Sequence, residues 1–354
     1  MSRGQPLSPM SRGLPLIPTT VIGSYPQPAW LVDHDLLVAK GVPRTRAADV
    51  WRVPPDQLDD ALDAATLLAV HDQSLAGIDI VTDGEIRRES YFNHFANALD
   101  GVARDRVGAG VNRVGGRSLV PLVDGPIRRT TPIELDAAHF LRAATDRATK
   151  VTVPGPFTLS QLAQNDFYPD QRALALAYAE AINEELADLV AAGIDVVQLD
   201  EPYLQANADA ARGFAVEAVN RALAGITATT VLHTCYGYAV YVADKSGGYP
   251  FLAELADCAA NQIAVEFAQP RLDAAALKPL SGKTIVLGVL DLSTNDVEPP
   301  EVIAGRLRAA LEVVPPEQLV AGPDCGMKFL PRAAAFAKLQ SLVAGAALVR
   351  DEVS

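Results

Sequence analysis

Short apolar runs rich in β-branched residues alternate along this chain with long alanine- and leucine-rich stretches that have helical spacing. Such alternation predicts βα units and a parallel sheet. The runs that we predict as strands are residues 19–22, 78–82, 150–153, 194–199, 229–232, 262–265, 284–287 and 318–321. Among the intervening helices, residues 173–192 give the clearest pattern, because Gly193 can end that helix just before the next strand. Eight parallel strands with eight following helices specify an α/β fold, the (β/α)8 TIM barrel.

Two segments interrupt this rhythm. Residues 24–60 are rich in proline and charge, and residues 101–130 combine glycine with alternating valine and arginine, a pattern typical of a β-hairpin. We predict both as insertions over the barrel mouth, after strands one and two. Neither an internal repeat nor a low-complexity linker divides the chain, so we predict a single barrel domain over residues 18–350 and a disordered N-terminus over residues 1–17.

Composition limits the compartment and the partners. The 354 residues are 49% hydrophobic, enough for one large core, and the net charge of −13 disfavours nucleic acid as a partner. Three cysteines cannot form an even disulfide framework, which is typical of a reducing cytoplasm. No run of eighteen uninterrupted apolar residues or apolar signal sequence is present in the chain. We therefore expect a soluble cytoplasmic protein that binds neither nucleic acid nor membrane.

Polar side chains follow nearly every predicted strand. Barrel enzymes build their sites from the C-terminal ends of strands and the loops beyond them. The residues at these positions are Gly23-Ser24-Tyr25, Asp83-Gly84-Glu85, Asp200-Glu201, His233 and Cys235, Glu266, Asp291, and Asp324-Cys325. The sequence therefore predicts a functional site at one mouth of the barrel.

A metal site is the most specific chemistry that these residues indicate. His233 and Cys235 are two positions apart on an extended segment, so their side chains point to the same side. Together with Cys325 and Glu266 they form a set of imidazole, thiolate and carboxylate ligands suited to tetrahedral zinc. Glu266 can instead cap a helix or form a salt bridge. Cys258, in a predicted helix over residues 251–260, is interpreted as a packed thiol.

A purely structural zinc in a binding module is the alternative class of function. Structural zinc usually joins short loops through closely spaced cysteine pairs. Ligands at the ends of separate barrel strands favour a catalytic site instead.

Four runs of this sequence resemble the catalytic domain of cobalamin-independent methionine synthase, in the style of its short, single-domain members. They are residues 19–26, Gln198-Leu199-Asp200-Glu201-Pro202, His233-Thr234-Cys235 and Pro323-Asp324-Cys325-Gly326-Met327-Lys328. The resemblance covers about residues 18 to 350. It implies a zinc ion held by His233, Cys235, Glu266 and Cys325, at which homocysteine is deprotonated and methylated to methionine.

The same resemblance implies how the amino acid is recognised. Gly23 and Ser24 match the turn that contacts the homocysteine carboxylate, where backbone N–H and hydroxyl donors suit an anion. Glu85 and Asp200 match the acidic pair that receives the homocysteine ammonium group, and we predict them as catalytic and substrate-binding residues.

One departure from the family concerns the methyl donor. Long members carry a histidine after strand seven that protonates the folate leaving group, whereas this chain has Ser293 in the run Asp291-Leu292-Ser293-Thr294. Loss of a general acid disfavours methyltetrahydrofolate as the donor, unless His94 replaces it. A methyl-corrinoid protein is the alternative donor, because its leaving group needs no proton.

A second thiol chemistry is also compatible with the zinc set. Epoxyalkane:coenzyme M transferases are similar zinc barrels whose thiol substrate carries a sulfonate, which requires a cationic anchor. Arg87 and Arg88 can provide one, or can instead form salt bridges with the acidic residues of the mouth. Glu85 and Asp200 favour an amine, and therefore homocysteine.

Overall fold

A computed structural model describes residues 13–41, 45, 47–111, 116–245 and 247–353 of the chain. Most of the N-terminus that we predict as disordered, residues 1–12, lies outside the described residues. Ile17 is fully buried, and Arg350 donates hydrogen bonds to the backbone oxygens of Leu16 and Ile17. Packing therefore begins before residue 18.

The central feature is a curled sheet of seven parallel strands in the order β1-β6-β8-β9-β10-β11-β12. Across the described residues the strands are β1 (Ile80–Val81), β2 (Asp100–Val102), β3 (Gly108–Val111), β4 (Arg117–Val120), β5 (Leu122–Arg128), β6 (Ala148–Pro154), β7 (Gln164–Asn165), β8 (Val196–Asp200), β9 (Thr229–Thr234), β10 (Gln262–Glu266), β11 (Thr284–Gly288) and β12 (Leu319–Gly322). Every predicted run except the first falls on a strand of this sheet. The predicted α/β fold with a parallel sheet is therefore confirmed.

The predicted first strand, residues 19–22, is wrong as a full strand. Thr19 pairs with Ala321 of β12 and Thr20 pairs with Ile80 of β1, each through a single parallel bridge. The ladder with β1 cannot extend further because β1 itself has only two residues. The sheet is thus a seven-stranded half-barrel whose two edge strands are linked by two paired residues.

Helices cover the outer face of the sheet, and α6 agrees with the predicted helix to within two residues at each end. In the described chain they are α1 (His34–Ala39), α2 (Leu58–Ala76), α3 (Tyr91–Ala98), α4 (Leu135–Ala144), α5 (Pro156–Gln161), α6 (Gln171–Ala191), α7 (Tyr203–Ala206), α8 (Ala208–Ala222), α9 (Pro300–Leu311) and α10 (Arg332–Val353). The Asp170 side chain caps α6 by accepting from the Ala173 N–H at 2.7 Å, and Gly193 follows its end with a φ of +86°.

The prediction that an α-helix follows every strand is wrong. In the described parts of the connections after β9 and β10, the helices are the 3-10 helices Ala253–Asp257 and Ala274–Leu280. Pro279 lies inside the second and cannot donate the backbone hydrogen bond that an α-helix requires. Two further 3-10 helices, Ala48–Val50 and Pro55–Gln57, lie in the first predicted insertion, and Pro316–Gln318 precedes β12.

The second predicted insertion contains the expected hairpin. Strands β3 and β4 pair antiparallel, and residues 112–115 between them lie outside the described part of the chain. Nearby, β2, β5 and β7 form a separate three-stranded sheet.

Helix α10 is long and apolar enough, by length and composition alone, to cross a membrane. The core helix of a soluble protein meets the same criterion. In this fold α10 carries the fully buried Lys338, whose Nζ donates to the Asp291 backbone oxygen at 2.9 Å and to Glu298 Oε2 at 2.7 Å. These contacts are those of a helix packed within the protein.

Candidate active site

A pocket opens at the carboxyl ends of the parallel strands. Its lining residues are Ile22, Ser24, Glu85, Tyr91, Phe92, Asp200, Pro202, His233, Cys235, Gly237, Tyr238, Cys325 and Gly326. The alternation of side chains along each strand explains why reactive residues lie together here. Val231 of β9 belongs to the small apolar cluster enclosed by the curled sheet, so His233 and Cys235, two and four positions later, point to the same side.

Three potential metal ligands meet in this pocket. The ligand atoms of His233, Cys235 and Cys325 all lie within 4.8 Å of one another, and all three residues are buried. His233 Nδ1 lies 2.9 Å from Asp200 Oδ1, whereas Nε2 is buried and has no hydrogen-bond partner among the described residues. When Nδ1 donates its proton to the carboxylate, Nε2 presents a lone pair toward the thiols, as in a metal-ligating histidine.

The electrostatics of this cluster also fit a cation. Burial alone would lower the pKa of His233, but the neighbouring Cys235 and Asp200 side chains raise that pKa to about 10. A hydrogen bond with Cys235, together with burial, raises the pKa of Cys325 well above its ordinary value. His233 and Cys325 would therefore retain protons that a divalent cation would displace on binding.

Glu266 lies beside this cluster but its carboxylate is engaged elsewhere. Oε1 accepts a hydrogen bond from the Tyr236 N–H at 2.9 Å, and Oε2 lies 2.5 Å from Lys245 Nζ. The arrangement matches the salt-bridge alternative for Glu266. Its role as a metal ligand stays a prediction.

Glu85 reaches the pocket from a tight turn after β1. Gly84 and Glu85 both have left-handed backbones, with φ of +69° and +53°, and a non-glycine residue in that region is characteristic of functional sites. Thr152 Oγ1 donates to Glu85 Oε1 at 3.1 Å. A Cβ at Gly23 would lie 2.1 Å from the same oxygen, so a larger residue there would displace the Glu85 carboxylate. Burial raises the pKa of Glu85 to about 7 although nearby Arg88 opposes the shift.

Ser24 and Asp200 also line the pocket. Ser24 Oγ is 3.3 Å from the Tyr238 hydroxyl, and a Cβ at Gly326 would come within 2.2 Å of it. Asp200 lines the pocket, and its Oδ1 accepts from Gln198 Nε2 at 2.7 Å as well as contacting His233. Asp200 thus holds the histidine, a contact that the sequence did not predict.

The predicted cationic anchor and the substitute acid lie outside this pocket. Arg88 is buried, donating to the Thr152 backbone oxygen at 2.9 Å and lying 3.2 Å from Glu134 Oε1. Arg87 pairs with Asp63. His94 Nδ1 lies 3.3 Å from Glu89 Oε2, and Glu89 contributes to raising the pKa of His94 although burial opposes it.

Comparison with known proteins decides the family. Residues 17–348 match the family described as the catalytic domain of cobalamin-independent synthase. The chain belongs to the cobalamin-independent methionine synthase family. It is therefore a methyltransferase, and the resemblance predicted from the four runs is confirmed.

Relatives in this family align over nearly their full length. A protein named methionine synthase from Sulfurisphaera tokodaii is 33% identical over 343 residues, covering 96% of this chain and 94% of the relative. Its counterpart from Sulfolobus acidocaldarius is 34% identical over 347 residues, covering 97% and 95%. Among solved structures, a B12-independent methionine synthase from Shewanella sp. W3-18-1 in complex with selenomethionine has a TM-score of 0.86 at 32% identity, covering 95% of this chain and 98% of that one.

For this methionine synthase family member, sequence reasoning gave Asp324 no role of its own and missed Lys245. Asp324 accepts hydrogen bonds from the backbone N–H groups of Phe267, Ala268 and Gln269 at 2.9, 3.0 and 2.6 Å, which ties the loop after β10 to the segment that carries Cys325. Its position directly before that cysteine was the available signal. Lys245 lies in a loop without periodicity, where the sequence gives no signal for its contact with the site.

Proposed function

We propose that this protein is a zinc-dependent methyltransferase that converts homocysteine to methionine. The observation that carries the proposal is the buried trio of His233, Cys235 and Cys325, with the unpartnered Nε2 of His233 beside two thiols. The names of the relatives and the selenomethionine bound to the Shewanella protein support the substrate class. We further propose a cytoplasmic protein whose residues 18–350 form one (β/α)8 barrel, with Thr19 and Thr20 standing in for the eighth strand.

The trio would hold the zinc, and Glu266 would serve as a fourth ligand only on leaving Lys245 while no substrate is bound. Bound zinc lowers the pKa of a thiol so that it is deprotonated at neutral pH and stays nucleophilic. Asp200 fixes the orientation and the tautomer of His233. The two thiols are shielded from solvent, since Cys235 and Cys325 are only 4% and 5% exposed.

The charges of the pocket favour an aminothiol. Glu85 and Asp200 supply carboxylates for the substrate ammonium, and Ser24 supplies a hydroxyl, beside the Gly23 backbone, for its carboxylate. Among the described lining residues there is no lysine or arginine, which a sulfonate thiol such as coenzyme M would need. Homocysteine is therefore preferred over coenzyme M as the substrate.

The methyl donor would enter through an adjoining cavity. This cavity shares Tyr238 and Gly326 with the pocket, and its other lining residues are Ala239, Val240, Leu292, Ser293, Asn295, Met327, Phe329 and Leu330. A methyl-corrinoid donor finds no support among relatives described as cobalamin-independent. We therefore propose a methyl-folate donor first. When the methyl group passes from the folate nitrogen to the thiol sulfur, that nitrogen becomes the leaving group and must gain a proton. Ser293 is poorly suited to donate it, because its hydroxyl already donates to Asp291 Oδ1 at 2.6 Å.

A direct assay tests the proposal. Purified protein supplied with zinc and homocysteine is given methyltetrahydrofolate or methylcobalamin, and methionine is measured by mass spectrometry. We expect methionine from homocysteine, loss of activity after chelation and its return with zinc, and no methylation of coenzyme M. Failure to form methionine with either donor, in protein that retains zinc, would reject the proposed reaction.

Replacing Ser293 by histidine is expected to accelerate methyl transfer from methyltetrahydrofolate, because it would restore a general acid. Ser293 is exposed beside the donor cavity, so a histidine there has room to reach the leaving nitrogen. A placed general acid contributes about 10²- to 10⁴-fold, and a grafted one should supply the lower part of that range. Turnover with methyltetrahydrofolate is compared for Ser293→His and Ser293→Ala. Equal rates in the two variants would show that protonation at this position does not limit the reaction.

A further inference from the structure

Lys245 and Glu266 form an ion pair at the edge of the cysteine and histidine cluster. Both side chains are almost completely buried, at 1% and 0% exposure, and Nζ lies 2.5 Å from Oε2. The same ammonium group donates to the Gly237 backbone oxygen at 2.8 Å. Lys245 is thus fixed by two contacts inside the protein.

Other residues of the loop that follows β9 bind the second carboxylate oxygen and the backbone N–H of Glu266. Tyr236 N–H donates to Oε1 at 2.9 Å, and the Glu266 N–H donates to the Tyr249 hydroxyl at 2.7 Å. Both carboxylate oxygens therefore have partners on one loop. This explains why the carboxylate stands apart from the three clustered ligands.

Glu266 Oε2 can either accept the hydrogen bond from Lys245 or coordinate a metal ion, but it cannot do both. That oxygen cannot coordinate an ion while it accepts a close hydrogen bond from Lys245, and a buried ammonium left without a partner is strongly unfavourable. Three protein ligands with one open position describe a catalytic zinc site, whereas four describe a closed one.

We propose that Lys245 is a positioning residue that takes up the Glu266 carboxylate and so reserves the fourth metal position for the substrate thiol. This inference rests on the proposed zinc site and deepens it. Lys245 competes with the metal for Glu266, and homocysteine binding gains from that competition. Without the ammonium group, Glu266 would be free to bind the metal, and the substrate thiol would have to compete with it.

The test compares the parent with Lys245→Met, which keeps length and removes charge. Zinc affinity is measured against a chromophoric chelator, and cobalt substitution reports thiol ligation through the near-ultraviolet sulfur-to-cobalt absorption during homocysteine titration. Changing a partner of a metal ligand typically alters metal affinity by about 10- to 100-fold, usually as a loss. Because Lys245 competes with the metal, we expect Lys245→Met to bind zinc more tightly by a factor in that range, about 10- to 100-fold, and homocysteine correspondingly more weakly. Exposed Lys278→Met is the matched control and should change neither value.

A second pair of variants separates competition from charge balance or misfolding. Adding Glu266→Gln to Lys245→Met should abolish the gain in zinc affinity, because the competing carboxylate is gone. Unchanged zinc and homocysteine binding in Lys245→Met would overturn the inference. So would a loss of zinc affinity that Lys245→Arg restores, since that would make Lys245 a counter-charge for the thiolates. A parent protein that binds no zinc would overturn the zinc proposal as well, whereas normal zinc binding with no response at Lys245 would overturn this inference alone.

Discussion

Replacing Cys325 by serine is expected to remove zinc and to abolish methionine formation. A hydroxyl is neither a soft donor nor deprotonated at neutral pH, so the site loses one of its three clustered ligands. Metal content is measured by plasma mass spectrometry after dialysis, with the parent expected to be stoichiometric and the variant to hold only traces. Cys235→Ser should behave in the same way.

Cys258→Ser is the matched control for this experiment. Cys258 is also buried, at 2% exposure, but its Sγ accepts from the Ala260 N–H at 3.2 Å and lies outside the trio. It should keep zinc and activity. Stoichiometric zinc in folded Cys325→Ser, verified by circular dichroism, would contradict the ligand assignment.

Binding of the product methionine is expected to tighten as the pH rises through about 7. Burial raises the pKa of Glu85 to about 7, so below that pH the group is a neutral acid that cannot pair with an ammonium ion. Affinity should therefore rise about tenfold per pH unit up to pH 7 and then level off, as expected for one linked proton. Calorimetry between about pH 5.5 and about pH 8.5 measures this without interference from a substrate thiol.

Glu85→Gln should remove both the affinity and its pH dependence. Loss of a hydrogen bond to a charged group typically costs about 1.5–3 kcal/mol, so methionine should bind at least about tenfold more weakly at pH 8. Exposed Glu301→Gln serves as the control and should retain the parent profile. A Glu85→Gln variant with the parent pH profile would exclude Glu85 as the partner of the ammonium group.

Much of the site could be predicted because its residues follow the two-residue periodicity of the strands. Asp200, His233 and Glu266 stand at the ends of β8, β9 and β10, and two-residue alternation directs their side chains to the enclosed face. Consecutive parallel strands then bring these ends together. The prediction needed only the strand ends, and these are marked by polar residues after apolar runs.

Contacts between distant segments could not be predicted in this way. Lys245 pairs with a residue 21 positions away, from a loop without hydrophobic periodicity. The β-branched run over residues 19–22 has the composition of a strand, but how far it pairs depends on the length of its neighbour β1, which composition does not report. Asp200 was recognised as a site residue, yet its bond to His233 depends on the exact stagger of β8 and β9.

The two bridges at Thr19 and Thr20 have a consequence for synthesis. Thr19 pairs with Ala321, and Arg350 donates to the Leu16 oxygen from 334 positions away. A ribosome must deliver almost the whole polypeptide before these two contacts can form, whereas Thr20 meets Ile80 only 60 positions later. The edge strand β12 and the N-terminal segment are therefore among the last parts of the sheet to be joined.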